Sequence, residues 1–421
     1  MSASSLGEPM SAVPAVTSAR EREWSLATRV AFRFCFTFLI LYNLPFPLGF
    51  VPKVGAAFQK PWEWLVPIAA QSLFGVKADV LQNGSGDTTW NYVQLFLMAA
   101  ISAAVALVWS LISRAASHPR LHHWLRVYVR FALASVLITY GAIKVIQSQF
   151  PAPSLDRLLQ PFGEASPMGL LWTFMGASYA YNVFTGAGEI LGGLLLTMRR
   201  TTLAGALVSA AVMGHVAILN FCYDVPVKLF SSVLTFMALF LIAPDAKRLA
   251  AFLFAGPPRA AWWKVAVRTA VVLGFLGMSL YQAQKGRKEY GDLSPRSPLR
   301  GVWNVTELTV DGVVQPPVIT NESRWRRMVF DSTRGISIQQ ISDKRNRYMI
   351  ELGKIDFTLK KRDDPTWKAV FRYTRPDPRT LVVAGTMDGK TVHATMHLDA
   401  QKEFLLTTRG FHWINEYPFN R

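Results

Sequence analysis

Residues 166–200 read SPMGLLWTFMGASYAYNVFTGAGEILGGLLLTMRR. The stretch is apolar enough to form helix in a membrane, yet it carries Glu189 among its apolar residues. An ionisable side chain at bilayer depth is costly, so it is a candidate for function by default. One continuous helix from Met168 to Met198 would be about 46 Å long, whereas a hydrocarbon core is about 30 Å thick. We therefore expect a bend near Ser178–Asn182, with the part before it lying in the interface or re-entering the membrane.

The composition of the whole chain is that of a membrane protein. Of 421 residues, 51% are hydrophobic and only 17% are charged, a balance typical of that class. A formal net charge of +18 would suit nucleic-acid binding. The basic residues instead gather at the ends of apolar runs, as membrane topology requires, so we predict no nucleic-acid partner. Two cysteines without a Cys-x-x-Cys motif argue against a disulfide framework and a thiol relay.

Seven apolar runs are long enough to span a bilayer. They are Ala27–Phe50, Trp90–Ile112, Trp124–Ile146, Ala180–Met198, Thr202–Phe221, Val227–Ala243 and Trp263–Ala283. Alternate loops are rich in Lys and Arg, and the intervening loops carry balanced charge. The positive-inside rule then puts the N-terminus in the cytoplasm and, after seven spans, the C-terminal part outside. Residues 1–24 are expected to be a disordered cytoplasmic tail, followed by a transmembrane helical domain over residues 25–284.

The chain changes character after a predicted linker at residues 285–298. Short alternating runs follow, at Val302–Val310, Trp325–Phe330, Ile336–Ile341, Arg347–Glu351, Phe357–Lys360, Trp367–Tyr373, Thr380–Ala384, Thr391–His397 and Glu403–Thr408. Strands at such regular spacing predict an all-β antiparallel barrel, here an extracytoplasmic domain over residues 299–421. Gly301-Val-Trp303 at the first strand, with Arg409 after the last, resembles a lipocalin-type closure. The aromatic residues from Arg409 onward are expected to dock on the barrel or on the membrane surface.

Residues of about 122–250 carry a set of motifs with wide spacing. They include Gly141-Ala-Ile-Lys144, Gly186-Ala-Gly-Glu189-Ile-Leu-Gly-Gly193, the basic turn Arg199-Arg200 and Asp224-Val-Pro-Val-Lys228. This block resembles the DoxX family of small bacterial membrane proteins. The resemblance implies a four-helix core made of spans three to six, in a bacterial inner (plasma) membrane. Because some members of that family are subunits of a thiosulfate:quinone oxidoreductase, it also implies an isoprenoid quinone as the candidate cofactor.

Glu189 is the candidate catalytic residue, and a polar stripe accompanies it at helical spacing. The candidate cofactor-binding residues are Ser178, Tyr181, Asn182 and Thr185 on the stripe, with Arg130 and Lys144 on span three. Glu189 would either pass a proton and hold a quinone headgroup, or form a packing latch with a basic residue, and we weigh the two equally. Arg130 is the expected partner of Glu189 or an inner anchor. Lys144 could reach a substrate anion, but we favour snorkelling to the headgroups.

The remaining polar residues favour structural roles. Asp224 and Lys228 are separated by Pro226, so a helical ion pair is doubtful and a capping role is favoured. Asp87 or Thr88 is expected to cap span two. His215 is the single histidine within a span, which excludes bis-histidine haem ligation in this chain and favours a hydrogen-bonding packing residue. No cluster of metal-ligand residues is visible.

Two functions remain open on the sequence. One is a quinone- or lipid-linked redox component of the inner membrane, with Glu189 and its stripe lining the cavity. The alternative is a non-enzymatic membrane scaffold or assembly factor, whose outer barrel binds a partner protein or a lipid. In either case the lipid bilayer is a partner, and any redox centre must come from a bound cofactor or from another subunit.

Overall fold

The computed structural model describes residues 23–81, 83–153, 157–158, 160–254, 261–289, 295–331, 333–364, 366–399 and 404–421. The predicted disordered tail lies outside the described residues except for its last two positions. The chain divides into two compact units, one of residues 1–255 with 404–421 and the other of residues 256–403. We call them the helical unit and the barrel unit. Residues 404–421, which were expected in the barrel, pack with the helical unit, and we call them the return segment.

The helices confirm a multi-span bundle. In chain order they are α1 (Leu26–Asn43), α2 (Pro52–Ala69), α3 (Thr89–Ile112), α4 (Pro119–Val145), α5 (Pro167–Gly176), α6 (Tyr179–Thr197), α7 (Thr202–Cys222), α8 (Lys228–Ile242), α9 (Ala246–Phe254), α10 (Trp262–Glu289) and α11 (Leu405–Thr408). Six segments in the described chain are long and apolar enough to cross a membrane, and they contain α1, α3, α4, α7, α8 with α9, and most of α10. The seventh predicted span, Ala180–Met198, corresponds to α6. This helix is not among the six, because its polar stripe lowers its hydropathy.

The predicted bend before Glu189 is confirmed. Helix α5 ends at Gly176, and Ser178 is the N-cap of α6, where its hydroxyl accepts the N–H of Tyr181 at 3.3 Å. A serine at this position satisfies a backbone donor that a helix leaves unpaired at its start. The chain therefore restarts a helix here, and Glu189 falls in the middle of α6.

The basic loops meet at one end of the helical unit. Arg126 at the start of α4 lies 3.5 Å from Asp245, just after α8. Arg130 donates to the carbonyl oxygens of Leu196 at 2.9 Å and Thr197 at 3.0 Å, at the end of α6. We call this the basic end of the unit. The opposite end, where α4 and α7 finish and α3, α6 and α8 begin, is the return end, because the return segment packs there.

Helices α4 and α6 run antiparallel and touch through glycine. A Cβ atom on Gly141 would lie 2.6 Å from the carbonyl oxygen of Gly186, and one on Gly186 would lie 2.6 Å from that of Gly141. Small residues allow such close approach of helices in a membrane, where van der Waals packing takes over from the hydrophobic effect. The contact fixes the register of the two helices, with Gly193 of α6 packed against Ile138 of α4.

The barrel unit holds a closed antiparallel barrel of eight strands. Its strands are β1 (Gly301–Val310), β2 (Val313–Val314), β3 (Trp325–Phe330), β4 (Gly335–Gln340), β5 (Arg345–Leu352), β6 (Asp356–Lys360), β7 (Lys368–Asp377), β8 (Thr380–Met387) and β9 (Lys390–Leu398). Each long strand pairs with the next, and β1 pairs with β9 to close the barrel, while β2 extends β1 as a hairpin. Eight of the nine predicted runs are strands. The prediction of a ninth strand at Glu403–Thr408 was wrong, because Leu405–Thr408 form helix α11.

The barrel interior is packed with side chains. Alternate residues point inward, and Trp303 is only 1% exposed, with its indole N–H donating to the carbonyl of Leu299 at 2.8 Å. The guanidinium of Arg375 lies 5.5 Å from the centre of the Trp303 ring. Arg409, expected to close the barrel beside this tryptophan, instead binds Asp224 in the helical unit. An Asp-Gly turn joins β1 to β2, and both Asp311 and Gly312 have the positive φ angles that a tight hairpin needs.

We expect Gly141→Ala to destabilise the helical unit by about 1–3 kcal/mol, because the new methyl group would overlap a backbone oxygen that cannot move independently. Thermal unfolding of the purified protein in one detergent measures the effect. Gly214→Ala on α7 is the matched control, since its Cβ would only reach Thr235 at 4.0 Å. Equal melting temperatures for the two variants would contradict the close α4–α6 contact, because they would show that a methyl group fits between Gly141 and Gly186.

Candidate functional site

Glu189 forms a buried ion pair with Lys144. The Lys144 ammonium on α4 donates to Oε1 of Glu189 on α6, and the two side chains are 8% and 2% exposed. The prediction that Lys144 snorkels to the headgroups was therefore wrong. Arg130 is not the partner of Glu189 either, since it lies about 21 Å before Lys144 along α4 and binds the carbonyls at the end of α6. These contacts of Arg130 with the end of α6 fit the alternative prediction, in which Arg130 is an inner anchor.

The predicted polar stripe divides into structural and cavity-lining residues. Ser178 caps α6, and the Asn182 amide donates to the carbonyl of Phe150 at 3.2 Å. The Thr185 hydroxyl donates within its own helix, to the carbonyl oxygen of Tyr181 at 3.1 Å. Tyr181, Thr185 and Glu189 line a cavity, whereas Ser178 and Asn182 do not. In the described chain, no group of three His, Cys, Asp or Glu residues is placed to hold a metal ion.

The cavity has a volume of about 1020 Å³ and lies among α4, α5, α6, α7 and α8. Its wall is mainly aliphatic and aromatic, with the ion pair on one side. Ligand pockets of about 300–1,000 Å³ commonly combine an apolar wall with a few polar groups. The polar lining residues that the sequence did not single out are Tyr140, Gln149, Asn220, Tyr223 and Ser231. No local pattern marks them, because they meet only when the five helices assemble.

Two acceptor atoms in the cavity wall have no hydrogen-bond partner among the described residues. They are Oε2 of Glu189 and Oε1 of Gln149, both buried. An unsatisfied buried polar atom costs about 1–3 kcal/mol. Because both atoms are acceptors, they suit a ligand that brings hydroxyl donors into the cavity. The neighbouring Lys144 ammonium supplies donors for a ligand oxygen as well.

The cavity reaches the side of the helical unit between α6 and α7. Phe184 and Leu191 on α6 line it and are 72% and 51% exposed. Ala211 and His215 on α7 also line it and are exposed. A pocket that opens between α6 and α7 on the side of a membrane bundle would be accessible to molecules dissolved in the bilayer. His215, predicted as a packing residue, thus lies at the mouth of the cavity rather than inside the bundle.

A second cluster of charges lies at the return end. Lys228 is fully buried, 3.2 Å from Oδ1 of Asp224 and 3.5 Å from Oδ2 of Asp87. A helical ion pair between these two residues was doubtful, and the pair that forms is not within a helix, because Asp224 lies in the loop before α8 with a left-handed backbone conformation (φ 51°). The capping role predicted for them belongs to another residue. The carboxylate of Asp87 accepts the N–H groups of Lys228 at 2.8 Å and Leu229 at 3.0 Å. Asp87 therefore caps α8, and Thr88 caps α3 as predicted.

The return segment completes this cluster. Its Arg409 guanidinium lies 2.8 Å from Oδ2 of Asp224, the Asn415 amide donates to Oδ1 at 2.9 Å, and the His412 backbone N–H donates to Oδ1 at 3.1 Å. Burial alone would raise the pKa of Asp224, but these donors and the Lys228 charge outweigh it and hold the pKa below its ordinary value. Fewer donors reach Asp87, and burial raises its pKa. The aromatic segment thus docks on the helical unit, not on the barrel.

Comparison with known proteins shows similarity to a bacterial protein over part of the chain. No family model matches the chain, and no solved structure matches it. The chain is 31% identical over 121 residues to a Bacillus subtilis (strain 168) protein whose name is "Uncharacterized protein YwoB". The aligned part is 28% of this chain and 75% of that relative.

We expect Lys144→Met to destabilise the helical unit by about 3–5 kcal/mol, because it leaves Glu189 buried without its partner. Adding Glu189→Gln should recover part of the loss, which gives a coupling energy of about 0.5–3 kcal/mol in a double-mutant cycle of thermal unfolding. Arg130→Met combined with Glu189→Gln is the control pair, and its effects should add to within about 0.5 kcal/mol. Coupling of Glu189 to Arg130 but not to Lys144 would contradict the observed pairing.

Proposed function

Because this chain belongs to the same family as YwoB of Bacillus subtilis, whose name assigns no activity, we propose its function from its own geometry. The helical unit binds an isoprenoid quinone, as a quinone-linked redox component of the membrane. One observation carries the proposal. A large apolar cavity opens between two spanning helices and holds a buried ion pair whose carboxylate has a free acceptor oxygen.

The lining residues fit the two parts of such a ligand. The isoprenoid chain would lie along the apolar wall and leave through the opening beside Phe184 and Leu191. The ring would lie against the ion pair. Its carbonyl oxygens, in the oxidised form, would accept from Lys144, and its hydroxyls, in the reduced form, would donate to Glu189 and Gln149. When bound, the quinone supplies the two-electron carrier chemistry that the amino acids of this chain lack.

Each polar residue then has a defined task. Glu189 would exchange a proton with the ring through its free oxygen Oε2, and Lys144 would balance its charge while the carboxylate is ionised. The apolar wall would exclude water, which strengthens both interactions. The electrons would come from a partner subunit.

The resemblance to the DoxX family supports this proposal through particular residues. The motif residues Gly141 and Lys144 on α4 and Gly186 and Glu189 on α6 form the glycine contact and the ion pair. We therefore propose that the chain is a DoxX-like protein, and that the shared motif exists to build a buried, charged ligand site.

We also propose an orientation. The basic loops gather at the basic end of the helical unit, and the positive-inside rule would place that end in the cytoplasm of a bacterium. The return end and the barrel would then be extracytoplasmic, at the inner membrane. Quinone would enter from the bilayer between α6 and α7, so neither aqueous side would need an opening.

The second candidate function is the non-enzymatic scaffold, in which the barrel binds a partner protein. An exposed apolar hairpin favours it. Val313 and Val314 in β2, and Ile319 in the loop after it, are 62%, 69% and 86% exposed, and exposed apolar surface commonly marks an interaction site when it is contiguous. The packed barrel interior leaves its outer surface as the place for such a partner.

We expect mass spectrometry of mildly extracted protein to find co-purified isoprenoid quinone. Glu189→Gln should lower the bound quinone and any quinone reduction at least about tenfold, because the amide cannot exchange a proton and no longer attracts the Lys144 ammonium. Ala211→Trp, which fills the opening without touching the ion pair, should lower the bound quinone as well.

Ser102→Ala is the control for both variants. Ser102 is buried in α3, bonds only within its own helix and does not line the cavity. Quinone absent from the unaltered protein would contradict the proposed function. Quinone retained in full by both Glu189→Gln and Ala211→Trp would place it outside this cavity.

For the scaffold function, we expect Ile319→Asp to abolish capture of a partner by chemical cross-linking in membranes, because a charge replaces an exposed apolar contact. The Glu189→Gln variant should cross-link normally. Ile355→Asp is the control, since Ile355 is an equally apolar residue, 64% exposed, in the turn between β5 and β6. Equal losses at Ile319 and Ile355 would indicate a general change of the barrel surface and not a specific site.

A further inference from the structure

The return segment binds three separate loops at the return end. It meets the first through the Ser85 hydroxyl, which donates to the carbonyl of Asn415 at 2.6 Å, and the Asn83 amide, which donates to that of Glu416 at 2.6 Å. It meets the second through the contacts on Asp224. It meets the third through the N–H of Ser166, which donates to the carbonyl of Arg421 at 2.6 Å.

The same three loops form the cavity wall at that end. Gly84 of the first loop lines the cavity, as do Tyr223 and Val225 of the second and Met168 just after Ser166. No described residue of the return segment lines the cavity itself. The segment therefore holds the wall from behind and does not occupy the ligand space.

The charges make this attachment strong. Asp87 and Asp224 are buried with Lys228, so these three residues alone carry a net charge of −1. Arg409 supplies the second cation and makes the cluster neutral. Without it, an excess negative charge would remain buried, which is costly until water enters. Detachment of the segment would thus draw water to the loops that line the cavity.

We propose that the return segment is a strap that keeps the return end of the cavity closed to water. The cavity then exchanges ligands only through the side opening between α6 and α7. This inference rests on the proposed function for the identity of the ligand, but the closure itself does not require a ligand.

A cysteine-accessibility experiment on the full chain tests the strap. Cys35 and Cys222, the two natural free thiols, are first replaced by serine. Val225→Cys then places a thiol at a buried position in the cavity wall, and reaction with a water-soluble methanethiosulfonate is timed in liposomes. We expect Arg409→Ala and Asn415→Ala each to speed this reaction about tenfold or more, because the loop opens locally more often.

Two controls separate strap opening from general loosening. Tyr417→Ala alters an exposed side chain of the return segment and should leave the rate unchanged. Ala134→Cys reports on a buried position of α4 that does not line the cavity and should stay protected in every variant. An unchanged Val225→Cys rate in both Arg409→Ala and Asn415→Ala overturns the strap. A parallel rise at Ala134→Cys overturns it too, since the segment would then be a general folding element.

A ligand measurement keeps the strap and the proposed function separate. Decylubiquinone is the probe, and its dissociation rate from the unaltered protein is compared with that from Arg409→Ala. A faster release from the variant supports the strap, and an equal rate shows that the return end plays no part in exchange. If the unaltered protein does not bind the probe, the quinone proposal fails, and the cysteine rates alone decide the strap.

Discussion

The ion pair between Lys144 and Glu189 is the interaction on which the helical unit depends. Two charges removed from water cost several kcal/mol each, and their attraction offsets this only when they stay in contact. That contact requires α4 and α6 to lie unusually close. Gly141 and Gly186 provide the close approach one turn away from the pair. The glycines and the ion pair therefore depend on each other, because the close approach of the two backbones keeps the charges in contact and so offsets the cost of burying them.

Much of this fold could be predicted from local sequence patterns. Apolar length identified the spans, and the excess length of a continuous helix over Met168–Met198 required the bend near Ser178–Asn182. The alternation of apolar and polar residues, in short runs at regular spacing, predicted the barrel strands. These features depend on residues only a few positions apart. The same rules failed at Glu403–Thr408, where a short alternating run lies in the segment that leaves the barrel.

The partners of the buried charges could not be predicted, because they depend on how whole helices are placed. Arg130 and Lys144 both lie on the face of α4 that meets α6, and only the register of the two helices decides which of them reaches Glu189. For Asp224, the deciding residues are Arg409 and Asn415, nearly two hundred positions later. No periodic pattern encodes a contact at that separation. The tertiary fold selects the partner, and the sequence shows only that one is needed.

The two charge clusters differ in a way that assigns them different tasks. Asp224 receives donors at both of its oxygens, so its cluster is complete and suits a fixed attachment. Glu189 lines an apolar cavity and has one oxygen paired, whereas the other has no partner among the described residues. The fold thus saturates one buried carboxylate with donors from α8 and from the return segment, and leaves the other partly unsaturated. Only Glu189 can still accept a hydrogen bond from a ligand. Glu189, and not Asp224, is therefore the candidate ligand-binding residue.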